Sequence, residues 1–182
     1  MCSSDLTNSV PATTVCTGTT ASFSVSSTGT PAPSYQWLRN GNTITGATSS
    51  SYSFTALVAN DGDTFACTVT NHCGTQTSSA TTLTVRVPPT VTTDPVGGVR
   101  CEGQSYTFTA AASGSTPLSY QWRKGGTNIL GATSSSLALT GLLAANSGSY
   151  DCVVTNNCGS ATTAAASLEV RVAATKIGRA HV

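Results

Sequence analysis

The tetrapeptide Ser34-Tyr35-Gln36-Trp37 returns 85 residues later as Ser119-Tyr120-Gln121-Trp122. Cys16, Cys67 and Cys73 return with the same offset as Cys101, Cys152 and Cys158, and no gap is needed from Cys16 to Val87. A repeat of fixed period means that whatever one copy folds into, the other folds into as well, so it constrains the chain before any local propensity does. Divided by that period, the 182 residues make two domains. Each copy can enclose one core, with little to spare.

Within a copy the apolar pattern has period two. Phe23 and Val25 share one face of Ser22-Phe23-Ser24-Val25-Ser26, and Phe65, Cys67 and Val69 share one face of the segment around them. Thr7 to Val15 reads as one edge strand held at the sheet margin by Pro11. Gly29 to Pro33 reads as a loop, Tyr35 to Arg39 as a strand with Trp37 inward, and Asn40-Gly41 as a hairpin turn. Tyr52-Ser53-Phe54 and Thr82 to Val87 supply further strands, with Asn60 to Asp63 and Asn71 to Gly74 as turns. The second copy follows suit through Tyr106-Thr107-Phe108, Tyr120 to Arg123, Leu137 to Leu139, Tyr150 to Val154 and Leu168 to Val172. Alternating strands with turn signals every eight to twelve residues predict an all-β sandwich. Pro88-Pro89 restricts the connection to an extended form, which predicts two domains end to end on a semi-rigid link.

The charge balance excludes several roles. Only 8% of residues are charged and the net charge is +1, so no electrostatic footprint for nucleic acid exists. No run of eighteen apolar residues is present, so no membrane insertion is expected from this stretch, and the N-terminus has no signal-peptide pattern. Cys2 to Leu6 and Lys176 to Val182 belong to neither repeat, and both resemble translated strands of a sequencing adapter. On that reading residues 1–6 and 174–182 are non-native tails, 7–87 is the first domain and 88–173 the second, and the chain is a fragment in which a missing signal peptide carries no weight.

At Trp37 and Trp122, at Asn146-Ser147-Gly148-Ser149-Tyr150-Asp151-Cys152, at Asn156-Asn157-Cys158-Gly159 and at the closing Leu-x-Val, the chain resembles the immunoglobulin fold of the intermediate set. The resemblance covers both repeats and implies two tandem immunoglobulin-like β-sandwich domains with Trp37, Cys67, Val25 and Phe23 in one core and Trp122, Cys152, Ala110, Phe108 and Tyr150 in the other. It implies a tyrosine corner at Tyr150, which Phe65 in the first copy has no hydroxyl to form. The chain departs from the family in having Val25 and Ala110 where a second-strand cysteine would sit. Its extra cysteines resemble a variety common in bacterial secreted and surface proteins, which implies Cys16–Cys73 and Cys101–Cys158 disulfides, each closing a loop of 57 residues and stabilising by about 4 kcal/mol. Cys67 and Cys152 are then buried thiols. Cys16–Cys67 and Cys101–Cys152 remain as the other pairing, because the first sets paired cysteines toward opposite ends of a strand. Either pairing implies an oxidising compartment, secreted or cell-surface.

Candidates for chemistry are sparse. His72 lies in a turn whose other copy has Asn157. Asp61-Gly62-Asp63 lacks the further oxygen ligands of a calcium loop, and Cys67-x5-Cys73 lacks histidine support for zinc. Gly97-Gly98 and Gly125-Gly126 read as turns, and Arg39, Arg86, Lys124 and Arg171 as solvated positions. Catalytic, metal and cofactor sites are therefore expected to be absent. The expected role is adhesion, protein interaction or spacing within a larger extracellular protein, with neighbouring repeats and an unidentified protein or glycan as partners. The alternative is the accessory spacer or carbohydrate-binding region of a secreted enzyme, against which the core placement of both tryptophans counts.

Overall fold

The computed structural model describes residues 3–7, main chain only, and residues 10–172. It divides into two compact units, Met1–Val87 and Pro88–Val182. The first holds β1 (Ser3–Thr7), β2 (Thr13–Cys16), β3 (Thr20–Ser24), β4 (Ser26–Thr30), β5 (Ser34–Arg39), β6 (Asn42–Thr43), β7 (Ser51–Thr55), β8 (Thr64–Asn71), β9 (Gly74–Thr77) and β10 (Thr81–Arg86). The second repeats the order as β11 (Thr90–Thr93), β12 (Gly98–Cys101), β13 (Tyr106–Thr109), β14 (Ala111–Ser113), β15 (Ser119–Lys124), β16 (Thr127–Asn128), β17 (Ser136–Leu139), β18 (Gly148–Asn156), β19 (Gly159–Thr162) and β20 (Ala166–Arg171).

In the first domain one sheet runs β2-β10-β8-β5-β6, with β9 also on β8, and the facing layer is made of β1-β4 and β3-β7. β2 lies parallel to β10, whereas the other pairs are antiparallel. The second domain has the same arrangement, with β12 parallel to β20. Inward positions alternate cleanly: Phe65, Cys67 and Val69 are buried on β8, and Thr81, Leu83 and Val85 on β10. That alternation is the pleat of a strand with one face on a core. The Asn40-Gly41 hairpin has positive φ at both residues, 51° and 79°, which is the two-residue turn whose twist matches its strands. Gly125-Gly126 does the same in the second copy, with φ of 55° and 79°.

Three expectations need correction. Gly29 to Pro33 is not wholly loop: β4 reaches Thr30 and pairs with β1. Its residues, Ser-Ser-Thr-Gly-Thr, carry no large apolar side chain, so main-chain pairing alone makes the strand. Thr7 to Val15 is not one edge strand, because β1 and β2 belong to different sheets and the chain crosses between them near Pro11. Ser22 to Ser26 is not one strand: Val25 N–H extends the β3–β7 register by donating to Ser50 O at 2.9 Å, and from Ser26 the chain pairs with β1 instead. Ala110 N donates to Ser135 O in the same way.

Ser3 to Leu6, assigned above to a tail, lie in β1; strand pairing through the main chain makes no demand on which side chains occupy it. Met1, Cys2 and residues 173–182, which hold the rest of both proposed tails, are outside the described residues.

Candidate functional site

Each core is built around one tryptophan. Trp37 and Trp122 are fully buried on β5 and β15, and each faces a cysteine across the ladder, Trp37 with Cys67 and Trp122 with Cys152. Their indole N–H groups donate to Ser49 O and Ser134 O at 2.9 Å, so the buried donor is satisfied. Phe23 stacks on Phe65 at 4.3 Å in the first core, and Phe108 on Tyr150 at 4.7 Å in the second. Val25 and Ala110 are buried beside them. Burial pushes the thiols of Cys67 and Cys152 up from their ordinary range, so both are held as inert thiols. Tyr150 donates its hydroxyl to Asn146 O at 2.7 Å. This is the tyrosine corner, and burial raises the phenol's pKa above its ordinary value.

Two sets of residues with structural roles went unnoticed in the sequence. Gln36 donates to Ile44 O at 2.8 Å and Trp37 O at 3.0 Å, and Gln121 donates to Ile129 O and Trp122 O at 2.9 Å. They fasten the hairpin after each tryptophan, which accounts for the glutamine in the recurring Ser-Tyr-Gln-Trp. Ser78 and Thr163 are buried hydroxyls that accept from Cys67 N and Cys152 N at 2.8 and 2.9 Å. They bridge the break between the two strands sharing that edge of β8 or β18, and only their recurrence at the repeat offset signals them.

Several charged groups read as solvated positions prove engaged. Arg39 pairs with Asp63, which also accepts from Asn40 Nδ2 at 2.6 Å. Burial pushes the Asp63 carboxyl up, but the Asn40 and Arg39 hydrogen bonds and the Arg39 charge outweigh it and hold the pKa below 3.8. Asp61 Oδ1 accepts from Val85 N at 2.7 Å, and Ser147 Oγ does the same for Val170 N at 2.9 Å. The Asp61-Gly62-Asp63 carboxylates are thus committed to fastening a turn. Arg123 grips Asp151 with two bonds of 2.8 Å, and the Asp151 hydrogen bond raises the guanidinium's pKa. Lys124 donates to Ala145 O and stands over the Tyr150 ring, while Arg171 pairs with Glu169 at the surface. His72 is exposed in its turn. Among the described residues no group of three or more His, Cys, Asp or Glu is positioned to hold a metal.

The outer cysteines occupy the poles of each sandwich. Cys73 follows β8 and its Sγ lies 3.7 Å from Thr30 O, beside the start of β1; this is the leading pole. Cys158 has the same place, next to Gly159, whose ideal Cβ would stand 3.7 Å from Pro88 Cβ. Cys16 is level with Arg86 and Cys101 with Arg171, where the last strand leaves; this is the trailing pole. Arg86 is five residues beyond Thr81, which pairs with Phe65, and Asn71 is six residues beyond Phe65 in the opposite direction. At about 3.3 Å per residue the two poles are roughly 35 Å apart, whereas a disulfide needs Cα atoms within about 7 Å.

The cysteine pairings inferred from the resemblance therefore fail. Cys101 is a free, exposed thiol, so Cys101–Cys158 does not form, and Cys16 and Cys73 of one sandwich are out of each other's reach. The alternative fails too, because Cys67 and Cys152 are both free and buried. Cys16, Cys73 and Cys158 are each disulfide-bonded. The resemblance transferred residue types without the axial distance between them.

An open, polar trough of about 340 Å³ lies in the first domain, lined by Thr45 to Thr48 and by Ser51, Tyr52 and Ser53 among others. No helix among the described residues is long and apolar enough to cross a membrane.

Two facing sheets and a buried tryptophan on β5 or β15 in each unit, with a hydroxyl-fastened corner in the second, define an immunoglobulin-like sandwich, present twice. Comparison with protein families matches residues 5–85 and 88–156 separately to immunoglobulin domains, and the chain is a tandem of two such domains. Among individual proteins it is similar to endoglucanase C of Cellulomonas fimi, 34% identical over 87% of this chain and 15% of that protein. It is also similar to the human peroxidasin homolog, 28% identical over 81% of this chain and 11% of that protein. The rat netrin receptor DCC is 30% identical over 75% of this chain and 10% of its own length. The chain thus spans a small part of these relatives. Of solved structures, the titin I-band fragment I67-I69 superposes with a TM-score of 0.78 at 20% identity, over 93% of this chain and 66% of that one. Sidekick-1 immunoglobulin domains 1-4 give 0.71 at 19%, over 94% and 49%. These two likenesses concern the fold.

Proposed function

We propose that the chain is a non-catalytic segment of a larger extracellular protein, secreted or on a cell surface, in which immunoglobulin-like repeats provide adhesion, protein contact or spacing. The observation that carries this reading is the use made of the polar residues. Asp61, Asp63, Gln36 and Gln121 hold turns and hairpins, Asp151 ties β18 to β15 through Arg123, and both tryptophans are fully buried. What is left to vary between copies is the loops at the poles, the part of a sandwich that contacts other molecules. Disulfide-bonded cysteines support an oxidising compartment, and the small share of each relative that this chain covers supports a larger parent protein. The ligand is then a protein or glycan met by loops, and a bacterial source accords with the endoglucanase likeness.

That likeness also favours a second reading, the accessory region of a secreted polysaccharide-degrading enzyme. Sequencing the native gene through both ends of residues 7–173 separates the two. Further repeats followed by a surface-anchoring segment are expected; an adjoining hydrolase domain would transfer the function to the second reading. The same sequence tests whether residues 1–6 and 174–182 are native, as the adapter resemblance says they are not. A depletion assay with microcrystalline cellulose complements it. The chain is expected to stay in the supernatant, and depletion to the pellet would establish direct carbohydrate binding.

A further inference from the structure

One strand of the first domain has an unpaired side. β7 (Ser51–Thr55) pairs with β3 and, among the described residues, with no other strand. Just beyond its ends Val25 N donates to Ser50 O at 2.9 Å and Ala56 N to Thr19 O at 2.8 Å. Those two contacts fix the phase of the ladder. Tyr52 and Phe54 exchange main-chain bonds with β3, while Ser51, Ser53 and Thr55 direct their N–H and C=O groups away from it. The side chains alternate in step. Tyr52 and Phe54 are half-buried against the core, and Ser51, Ser53 and Thr55 are exposed. The open polar trough is lined by Ser51 and Ser53, so unfilled space lies against this strand.

A bare edge templates a further strand, and natural edges are usually guarded by a charge, a proline or shortness. This one is not. From Asn40 to Asn60 the chain has no charged residue and no proline. By contrast, the sheet across the core ends on β6, two residues long, and on β2, which follows Pro11. We propose that β7 is a contact strand at which two copies of this chain pair edge to edge, antiparallel, about a two-fold axis through Ser53. In that register β7 is its own complement. Ser53 meets Ser53 of the second copy and Ser51 meets Thr55, and each such pair exchanges two N–H···O bonds. Tyr52 falls opposite Phe54 at the closer, non-bonded positions, where cross-strand aromatic pairs stabilise a sheet. Neither strand brings a charge to the other. A second folded edge is favoured over an unstructured peptide because its backbone is already ordered, whereas a peptide loses that freedom on binding. β17, at the same place in the other domain, is the weaker edge: it has four residues, and Leu137 and Leu139 replace Tyr52 and Phe54. Five residues a side fall well short of the roughly 20–30 of a stable interface. The pairing is therefore weak and concentration-dependent, and gains strength where repeats act in number. It is open to an adhesive repeat and to an enzyme's spacer alike.

Sedimentation equilibrium of the full chain at low ionic strength tests it, with a charge swap at the axis. Ser53 is exposed, so Ser53→Lys and Ser53→Glu leave the core untouched, and tryptophan emission verifies that both variants fold. A monomer–dimer equilibrium is expected for the natural chain. Each variant alone sets like charges opposite each other and is expected to dimerise about tenfold more weakly. An equimolar mixture sets lysine against glutamate and is expected to recover the natural affinity to within about threefold. Ala138→Lys on β17 is expected to change nothing. Dimers that survive Ser53→Lys, a mixture that does not recover, or loss of dimers in Ala138→Lys overturns the inference. So does a chain that stays monomeric up to about 1 mM; uptake of a synthetic peptide of residues 50–56 by that monomer would give the edge to an unstructured partner instead.

Discussion

The two copies differ by one hydroxyl at the corner before the central strand, and that difference yields a measurable asymmetry. Tyr150 is 1% exposed and donates to Asn146 O at 2.7 Å. Phe65 is also 1% exposed and stacks on Phe23 as Tyr150 does on Phe108, but it has no donor. Tyr150→Phe therefore removes a part-buried hydrogen bond without opening a cavity, since the ring and its stacking survive. The net hydrogen-bond term is about 1 kcal/mol, and a partly buried carbonyl deprived of its partner brings the expected loss to about 1.5 kcal/mol. For a domain of this size that lowers the midpoint by about 6–12 °C. Differential scanning calorimetry of the full chain is expected to show the second domain's transition moving by that amount while the first stays. Phe65→Tyr, the reciprocal change, is expected to raise the first transition by up to about 1 kcal/mol, because the equivalent carbonyl belongs to Asp61 at the same offset. A shift in Tyr150→Phe of less than about 2 °C, or an equal movement of both transitions, would refute the argument that the corner hydroxyl holds one domain alone.

Other expected outcomes follow from the same geometry. Burial holds the Tyr150 phenol protonated above its ordinary 10.0; above that pH the unfolded chain binds fewer protons than the folded one, so the second domain loses stability as pH rises, and a Tyr150→Phe pH titration should lose that part of the decline. The Asp63 pKa is depressed below 3.8, so its contribution is present above that value and is lost as pH falls through the folded pKa. Asp63→Asn should cost the first domain about 1 kcal/mol at neutral pH in urea titration, a figure discounted because Arg39 is 39% exposed, and should flatten the acid limb. Gly97→Ala would place a Cβ 2.4 Å from Ser167 O, a contact only main-chain movement relieves, and the expected loss in thermal unfolding is about 1–3 kcal/mol.

The fold class was legible because two facing sheets with one wet side write a period of two into the residues, and because each feature appears twice. β4 was not, since Ser26 to Thr30 hold their ladder through the main chain and show no apolar alternation. The change of partner after Val25, from β7 to β1, was equally silent, because main-chain pairing is announced by no residue type. Arg39 looked solvated because Asp63 is 24 residues away and becomes its neighbour only when β5 and β8 pair. The disulfides were misread for a different reason. Cys16 lies on β2 and Cys73 in the turn after β8, and the eleven residue levels from Arg86 to Asn71 along β10 and β8 become visible only once register is known.

The parallel pairing of β2 with β10 has a mechanical consequence. Thr13 to Cys16 run beside Leu83 to Arg86 in the same direction, and Gly98 to Cys101 run likewise beside Leu168 to Arg171. Tension drawing a domain apart by its ends pulls the first of these strands back toward the leading pole and the second toward the trailing pole. The hydrogen bonds of the pair lie across the pull and are loaded together in shear, whereas bonds at a peeled hairpin fail one at a time. Four residue pairs must then yield almost at once before the core is exposed. A repeat built this way resists stretching through the rate at which that patch ruptures, a property distinct from its equilibrium stability.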